Sequence, residues 1–359
     1  MRVLTAALLT IALLLCTADA GHAQPARPGT FTEAAQAGID YVLQGEYAGS
    51  LFIPGYGFEP AGLQVVALGG GKFDAVCYRG GLPGVGWDRA TKAGCSGEAV
   101  DGRLTLSGPA GEFVVDGTRA LSFDAAGRLL GRLGKVERSS PTMGLAPPPG
   151  AIVLFGGGST EQLQGAKVTP DGLLLAGVLT KMPVSAFHLH LEFRTPFMPA
   201  ARGQARGNSG VYIQQRYELQ ILDSFGLEGV ENECGGLYRQ TRPDVNMCLP
   251  PLAWQTYDIW FTPPVFAAGG QTKLADARLT ALHNGVPIHW HRAITAKTGG
   301  GKVEGPEPFP INLQDHGNPV AFRNIWIVPG EGDQQLTGAQ AGPGYTRAQR
   351  VRLRWLQAR

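Results

Sequence analysis

The chain has 359 residues, of which 52 are glycine and 26 proline. That length supports two domains with cores of their own, and so many helix breakers leave little room for long helices. Lysine plus arginine (31) nearly balance aspartate plus glutamate (29), for a net charge of +2, which gives no electrostatic case for nucleic acid. The terminal arginines from Arg347 to Arg359 read as a solvated tail.

Met1 and Arg2 precede an apolar run from Val3 to Leu15 and the small-residue stretch Thr17 to Ala20, the pattern of a secretory signal cleaved near Ala20 or Ala23. The run is too short for a permanent membrane anchor, and Leu15 before Cys16 is a poor lipoprotein context. The expectation is a signal peptide over 1–20, export to the periplasm or beyond without lipidation, and a spacer over 21–39. Elsewhere no stretch is long and apolar enough to cross a bilayer. In an exported chain the cysteines after the signal are disulfide candidates, and among the three possible pairings the short separations favour Cys77 with Cys95 and Cys234 with Cys248. The close CxxC spacing of a zinc site is absent.

Residues 40–136 read as a small β-rich domain, with short strands at Leu63 to Leu68, Phe73 to Tyr78, Arg103 to Leu106, Glu112 to Val115 and Leu121 to Phe123. Asp101-Gly102 and Ser107-Gly108-Pro109 supply their stops. The glycine-rich loop from Arg79 to Asp88 lacks the strand-to-helix context of a phosphate-binding fingerprint, so no nucleotide is expected there.

Ser139-Ser140-Pro141 and Ala146-Pro147-Pro148-Pro149-Gly150 mark a proline-rich linker over 137–150. A second domain over 151–330 opens with strands at Ile152 to Phe155 and Leu173 to Leu175, and a tail over 331–359 follows it. From Phe187 to Arg194 large apolar residues alternate strictly with polar ones, so a strand here buries one set and displays His188, His190, Glu192 and Arg194. Val211 to Gln214 and Tyr217 to Leu222 follow, the latter setting Glu218 and Gln220 against Tyr217, Leu219 and Ile221. Thr256 to Phe261 alternates again until Pro263-Pro264 ends it. Ala277 to Leu282 leads through Asn284-Gly285 into Val286 to Ile288, a hairpin signal, and Phe322 to Ile327 is a late returning strand. Many antiparallel strands without helical periodicity predict an all-β protein whose larger domain is a two-sheet sandwich. His188, His190, Glu218 and Gln220 are expected to share one face within reach of His316.

Several residues draw a structural reading. His283 sits beside the Asn284-Gly285 turn, His289 and His291 lie in a weakly patterned segment, and Trp87, Trp254, Trp260, Trp290 and Trp326 are either sugar platforms or packing residues. Ser209 lacks the G-x-S-x-G elbow of an esterase nucleophile.

The segments Asn208-Ser209-Gly210-Val211-Tyr212, Tyr217 to Asp223, Trp254 to Asp258, His283 to Val286 and Leu313 to Val320, followed by Phe322-Arg323-Asn324-Ile325, come in an order and spacing that resemble the 3-keto-disaccharide hydrolase domain family. The resemblance covers about Ile152 to Val328 and implies a concanavalin-like jelly roll acting on a saccharide or oxidised glycoside whose ring carries a ketone at C3. That ketone acidifies the proton at C2, so the chemistry asks for a base, a stabiliser of the enolate oxygen and an acid for the leaving group. Glu218 and His316 are the leading acid/base candidates, with Asp223 a third. Asn208, Gln220 and Arg323 suit the binding of hydroxyls or the keto oxygen. A divalent metal could instead serve the enolate, held by His188, His190 and Glu192. Two alternatives stay open: a non-catalytic carbohydrate-binding or cell-surface module, and a conventional glycoside hydrolase. For the latter, Gln220 stands where a dense carboxylate motif would carry a middle acid.

Overall fold

The computed structural model describes residues 29–333. The expected signal segment and nearly all of the expected tail lie outside the described residues. Helix among these residues is limited to Ala34–Gln36, α1 (Gly38–Leu43) and Gly203–Ala205, and none is long and apolar enough to cross a membrane.

The first domain is a closed antiparallel barrel. Its strands are β1 (Gly45–Ile53), β2 (Gly57–Gly69), β3 (Lys72–Arg79), β4 (Lys92–Val100), β5 (Arg103–Gly108), β6 (Gly111–Val115), β7 (Arg119–Phe123) and β8 (Leu129–Val136). Each pairs with the next and β8 returns to β1, with Lys135 opposite Tyr47, so no sheet edge is left open. The alternation of β2 turns Leu63, Val65 and Ala67 inward opposite Cys77, Ala75 and Phe73. With Tyr47, Leu104, Leu106 and Phe113, all fully buried, they fill the interior. Gly97 is obligatory there, because a Cβ would lie 1.8 Å from the Thr105 carbonyl oxygen.

The second domain is the expected jelly-roll-like sandwich. Its strands begin with β9 (Ile152–Phe155), β10 (Leu163–Gln164), β11 (Leu174–Leu175), β12 (Val178–Thr180), β13 (Phe187–Arg194), β14 (Ser209–Ile213) and β15 (Tyr217–Ile221). They continue with β16 (Gln255–Thr262), the small hairpin β17 (Val265–Phe266) and β18 (Lys273–Ala275), then β19 (Ala277–His283), β20 (Val286–Ile294), β21 (Asn312–Leu313) and β22 (Ala321–Pro329). One sheet runs β10-β12-β21-β14-β15 and the other β11-β22-β13-β16-β19-β20, with β9 also on β22. Phe187, Leu189 and Leu191 of β13 meet Val211, Leu219 and Ile221 of the opposing sheet in one core. Burying these faces is the main stabilising term for such a sandwich.

The barrel is docked on the sandwich. Val66 enters the sandwich core, and Arg206 and Arg202 donate to the carbonyls of Ala67 (3.1 Å) and Leu68 (2.8 Å). Arg138 reaches back from the proline-rich segment to the buried Glu46 carboxylate (2.6 Å) and the Pro83 carbonyl (2.7 Å).

The expected disulfides are not formed: Cys77, Cys95, Cys234 and Cys248 are free thiols. Register explains the first pair. Cys77 stands opposite Ala93 and Cys95 opposite Ala75, a diagonal relation that typically holds residues about 7–8 Å apart, wider than a bridge tolerates. Cys234 and Cys248 do lie together in the core, but as hydrogen-bonding thiols. Cys234 contacts the Tyr257 hydroxyl at 3.2 Å and Cys248 points to the Leu222 carbonyl at 3.5 Å.

Candidate functional site

Because the apolar faces of the two sheets meet in one core, their polar faces point away from each other. The expectation that His188, His190, Glu218 and Gln220 share a face is therefore corrected. Alternation correctly sorts each strand's side chains, but the chain changes sheets between β13 and β14.

On the outer face of the five-stranded sheet, Tyr212 stands opposite both Glu218 and Asn312, and Gly210 opposite Gln220. Glu218 is 3% exposed. Burial pushes its carboxyl up to about 7, only partly offset by the Tyr212 hydroxyl that hydrogen-bonds it. The Tyr212 phenol is itself raised, first by burial and then by the Glu218 charge, so it stays a proton donor. Gly210 makes room for the carboxyl: a Cβ there would lie 2.5 Å from Glu218 Oε1 and 3.1 Å from Gln314 Oε1.

Amides complete this face. Gln204 Oε1 accepts from Gln220 Nε2 at 2.9 Å, and Asn208 Nδ2 donates to the Gln204 carbonyl at 2.7 Å. The Asn208 backbone N–H donates to Asn318 Oδ1 at 2.8 Å. Asn208 Oδ1 and Gln314 Oε1 are buried without a hydrogen-bond partner. Unpaired buried acceptors are costly and call for an explanation; beside a carboxyl poised near neutrality, donors on a bound molecule would supply it.

The remaining expected site residues lie elsewhere. His316 is exposed in the loop between β21 and β22, and the residue of its motif that meets the Glu218 cluster is Gln314. Asp223 is spent on structure, accepting from Arg206 Nε at 2.7 Å and from the Phe225 N–H. Arg323 is on the opposite sheet, paired with Glu192 at 2.7 Å and laid over the Trp254 ring at 4.0 Å. Tyr212, Gln314 and Gln204 were given no role by sequence reasoning. For the first two, alternation along β14 and proximity in the family motifs were available signals, whereas Gln204 lies in a loop without pattern.

The outer face of the seven-stranded sheet carries His190, which bonds Asp258 at 2.8 Å through Nδ1 and lies 3.8 Å from Glu192 through Nε2. Burial alone would lower its pKa, but the two carboxylates outweigh it and push the ring up to about 9. Burial likewise opposes ionisation of Glu192, and is overcome by His190, Asn324, Arg323 and the Gly144 N–H, which bring it down to about 2. Residues 140–145 cover this network. Ser140 bonds Thr256 at 2.6 Å, Thr142 bonds Asp258 at 2.8 Å, Gly144 N–H bonds Glu192 at 2.6 Å, and Trp326 Nε1 bonds the Leu145 carbonyl at 3.1 Å. His188 stacks on Trp260 at 4.0 Å. The expected metal set is thus drawn into an ion-pair network, in which the carboxylates of Asp258 and Glu192 on either side of His190 favour its protonated form, which offers a metal no lone pair. Among the described residues no group of three His, Cys, Asp or Glu side chains is arranged to hold a metal. His283 is structural as expected, buried against Gln255 at 2.9 Å and pushed down to about 3 by burial.

The fold defines the class, an all-β jelly-roll domain joined to a β-barrel. The model of one family, the 3-keto-alpha-glucoside-1,2-lyase-like domain, matches residues 150–328, and that part of the chain belongs to this family. Three solved structures of candidate glycosyl hydrolases from Parabacteroides distasonis ATCC 8503 are similar to the chain. The first is 32% identical, covering 51% of this chain and 84% of that one with a TM-score of 0.47. The others are 18% identical (50% and 94% covered, TM-score 0.37) and 22% identical (49% and 98%, TM-score 0.34). No curated protein matches the chain.

Proposed function

We propose that the sandwich domain cleaves 3-keto-glycosides, with Glu218 as the base that removes the proton at C2. The electrons of the C2–H bond pass toward the C3 ketone as an enolate. Their return expels the C1 oxygen substituent, which takes up a proton, and leaves an unsaturated keto-sugar; addition of water would complete a hydrolysis. Tyr212 is the donor placed to serve developing oxygen charge, and Asn208, Gln220 and Gln314 are suited to sugar hydroxyls. The observation that carries this reading is the buried Glu218 carboxyl, held near 7 against a phenol and sharing the space beside Gly210 with the unpaired Gln314 amide oxygen. A base poised near the working pH is the most effective one.

The two-carboxylate glycosidase has less support, because Asp223 is committed to Arg206 and Gln220 replaces the intermediate acid. The N-terminal signal pattern supports action outside the cytoplasm. The deciding experiment compares 3-keto-glucosides with the same glycosides before oxidation. Release from the ketones alone, reduced about 100-fold or more by Glu218→Gln, is the expected result. Equal turnover of both would overturn the reading, and saccharide binding without turnover would leave the domain a binding module.

A further inference from the structure

A cavity of about 570 Å³ opens between the N-terminal segment, the end of β13 and the loop joining β21 to β22. Small-molecule sites commonly measure about 300–1,000 Å³. Polar residues of its wall include Lys167, Asp171, Arg194, Thr195, Asp315 and Asn318. Thr195, on the same wall, is fully buried beside Gly207 and Asp223. Arg194 pairs with Glu33 at 3.2 Å, another residue of the wall. The Thr169 hydroxyl above all, with the Arg194 charge adding to it, holds Asp171 below the usual carboxylate range.

We propose that this cavity is a second binding site, and that its ligand is a neutral saccharide. The three carboxylates of the wall, Glu33, Asp171 and Asp315, outnumber its two cations, Lys167 and Arg194, so an anion gains no net attraction. Apolar surface from Leu173, Leu175 and Leu252 makes a small cation or inorganic ion a poor fit for the volume. A polyol satisfies the wall in both directions, donating to carboxylates and accepting from Arg194 and Lys167 while its C–H faces cover the leucines. The site adjoins the Glu218 face without belonging to it. Gln314 meets Glu218 whereas Asp315 lines the cavity, and the cavity residue Asn318 holds the backbone of Asn208. The inference does not depend on the cleavage chemistry.

The test is calorimetric titration of the full chain with sucrose, an unoxidised disaccharide that the proposed reaction leaves intact. The unmodified chain and Glu218→Gln should bind it equally. Asp171→Ala and Lys167→Ala, both exposed changes on the wall, should each weaken binding by about tenfold, the scale of one lost hydrogen bond to a charged group. Absence of binding at tens of millimolar sucrose, binding that Glu218→Gln abolishes while Asp171→Ala spares it, or tighter binding of glucose 6-phosphate than of sucrose would each overturn the proposal. Sucrose binding with the expected variant pattern, in a chain that leaves 3-keto-glycosides uncleaved, would uphold this site and remove the cleavage reading.

Discussion

Gly210 lies against Glu218 so closely that a Cβ would come within 2.5 Å of the carboxyl oxygen. In an ordinary strand, replacing glycine by alanine helps, since glycine weakens strand interiors. Here the added methyl must displace Glu218, Gln314 or both. Gly210→Ala should therefore lower kcat/KM on a 3-keto-glucoside by at least about tenfold, the scale expected when a reacting group is misplaced. Far-ultraviolet circular dichroism should be unchanged. Full activity in this variant would show that the position of Glu218 is immaterial to the reaction.

The raised Glu218 carboxyl fixes a pH dependence. As a base it must be ionised, so kcat/KM should climb with pH and level off above an apparent pKa of about 7. Stability moves the other way. The folded state binds this proton more tightly than the unfolded state, so its cost is absent below about 4.5, grows as pH rises through 7 and is constant beyond. Glu218→Gln should then gain stability relative to the parent chain above pH 7 and not below 4.5. Chemical denaturation at the two pH values checks the sign.

Tyr212 separates a working acid from a packing residue. Tyr212→Phe removes the hydroxyl with little change of volume, and should cut kcat about 100-fold with a small effect on KM. The same hydroxyl holds the Glu218 pKa down, so the rising limb of the pH profile should shift above 7 in this variant. A lower rate with an unmoved limb would place Tyr212 away from the carboxyl.

Much of the strand pattern was legible because alternation reports which side chains share a face. It located β2, β3 and β5 to β7 of the barrel and every long strand of the sandwich, most with ends displaced by a residue or two, although β2 begins six residues before the expected Leu63 and β20 runs six beyond the expected Ile288. β1, β4 and β8 were missed because glycines such as Gly94 and Gly97 read as breakers when they are strand residues in a tightly curved wall. Closure of the barrel was also hidden, since it depends on β1 meeting β8 across the whole domain. Of the candidate site, Glu218 and Gln220 do share one face of their strand, as alternation implied. His188, His190, Glu192 and Arg323 do not join them, because face alternation carries no information about which of two sheets a strand joins. His316 is two residues from Gln314, and a motif alone does not say which of its polar residues turns inward.

The segment that reads as a proline-rich linker behaves as a strap over a charged network, and the network makes its attachment titratable. His190 has a folded pKa of about 9, above the ordinary imidazole value. Its contribution is complete below about 6.5 and is lost as pH rises through 9. Glu192 is shifted down to about 2, so its contribution is present above about 4.5 and is lost as pH falls through 2. The thermal midpoint should therefore be flat between about pH 4.5 and 6.5 as far as this pair determines it, and decline on the alkaline side. His190→Gln should remove that alkaline decline. Thr142→Val deletes hydrogen bonds to Asp258 (2.8 Å) and Thr256 (2.9 Å) and should cost about 1–3 kcal/mol, with faster proteolysis within 137–150 at neutral pH. A strap equally resistant to protease at pH 7 and pH 10, and unaffected by Thr142→Val, would show that packing alone holds it to the sheet.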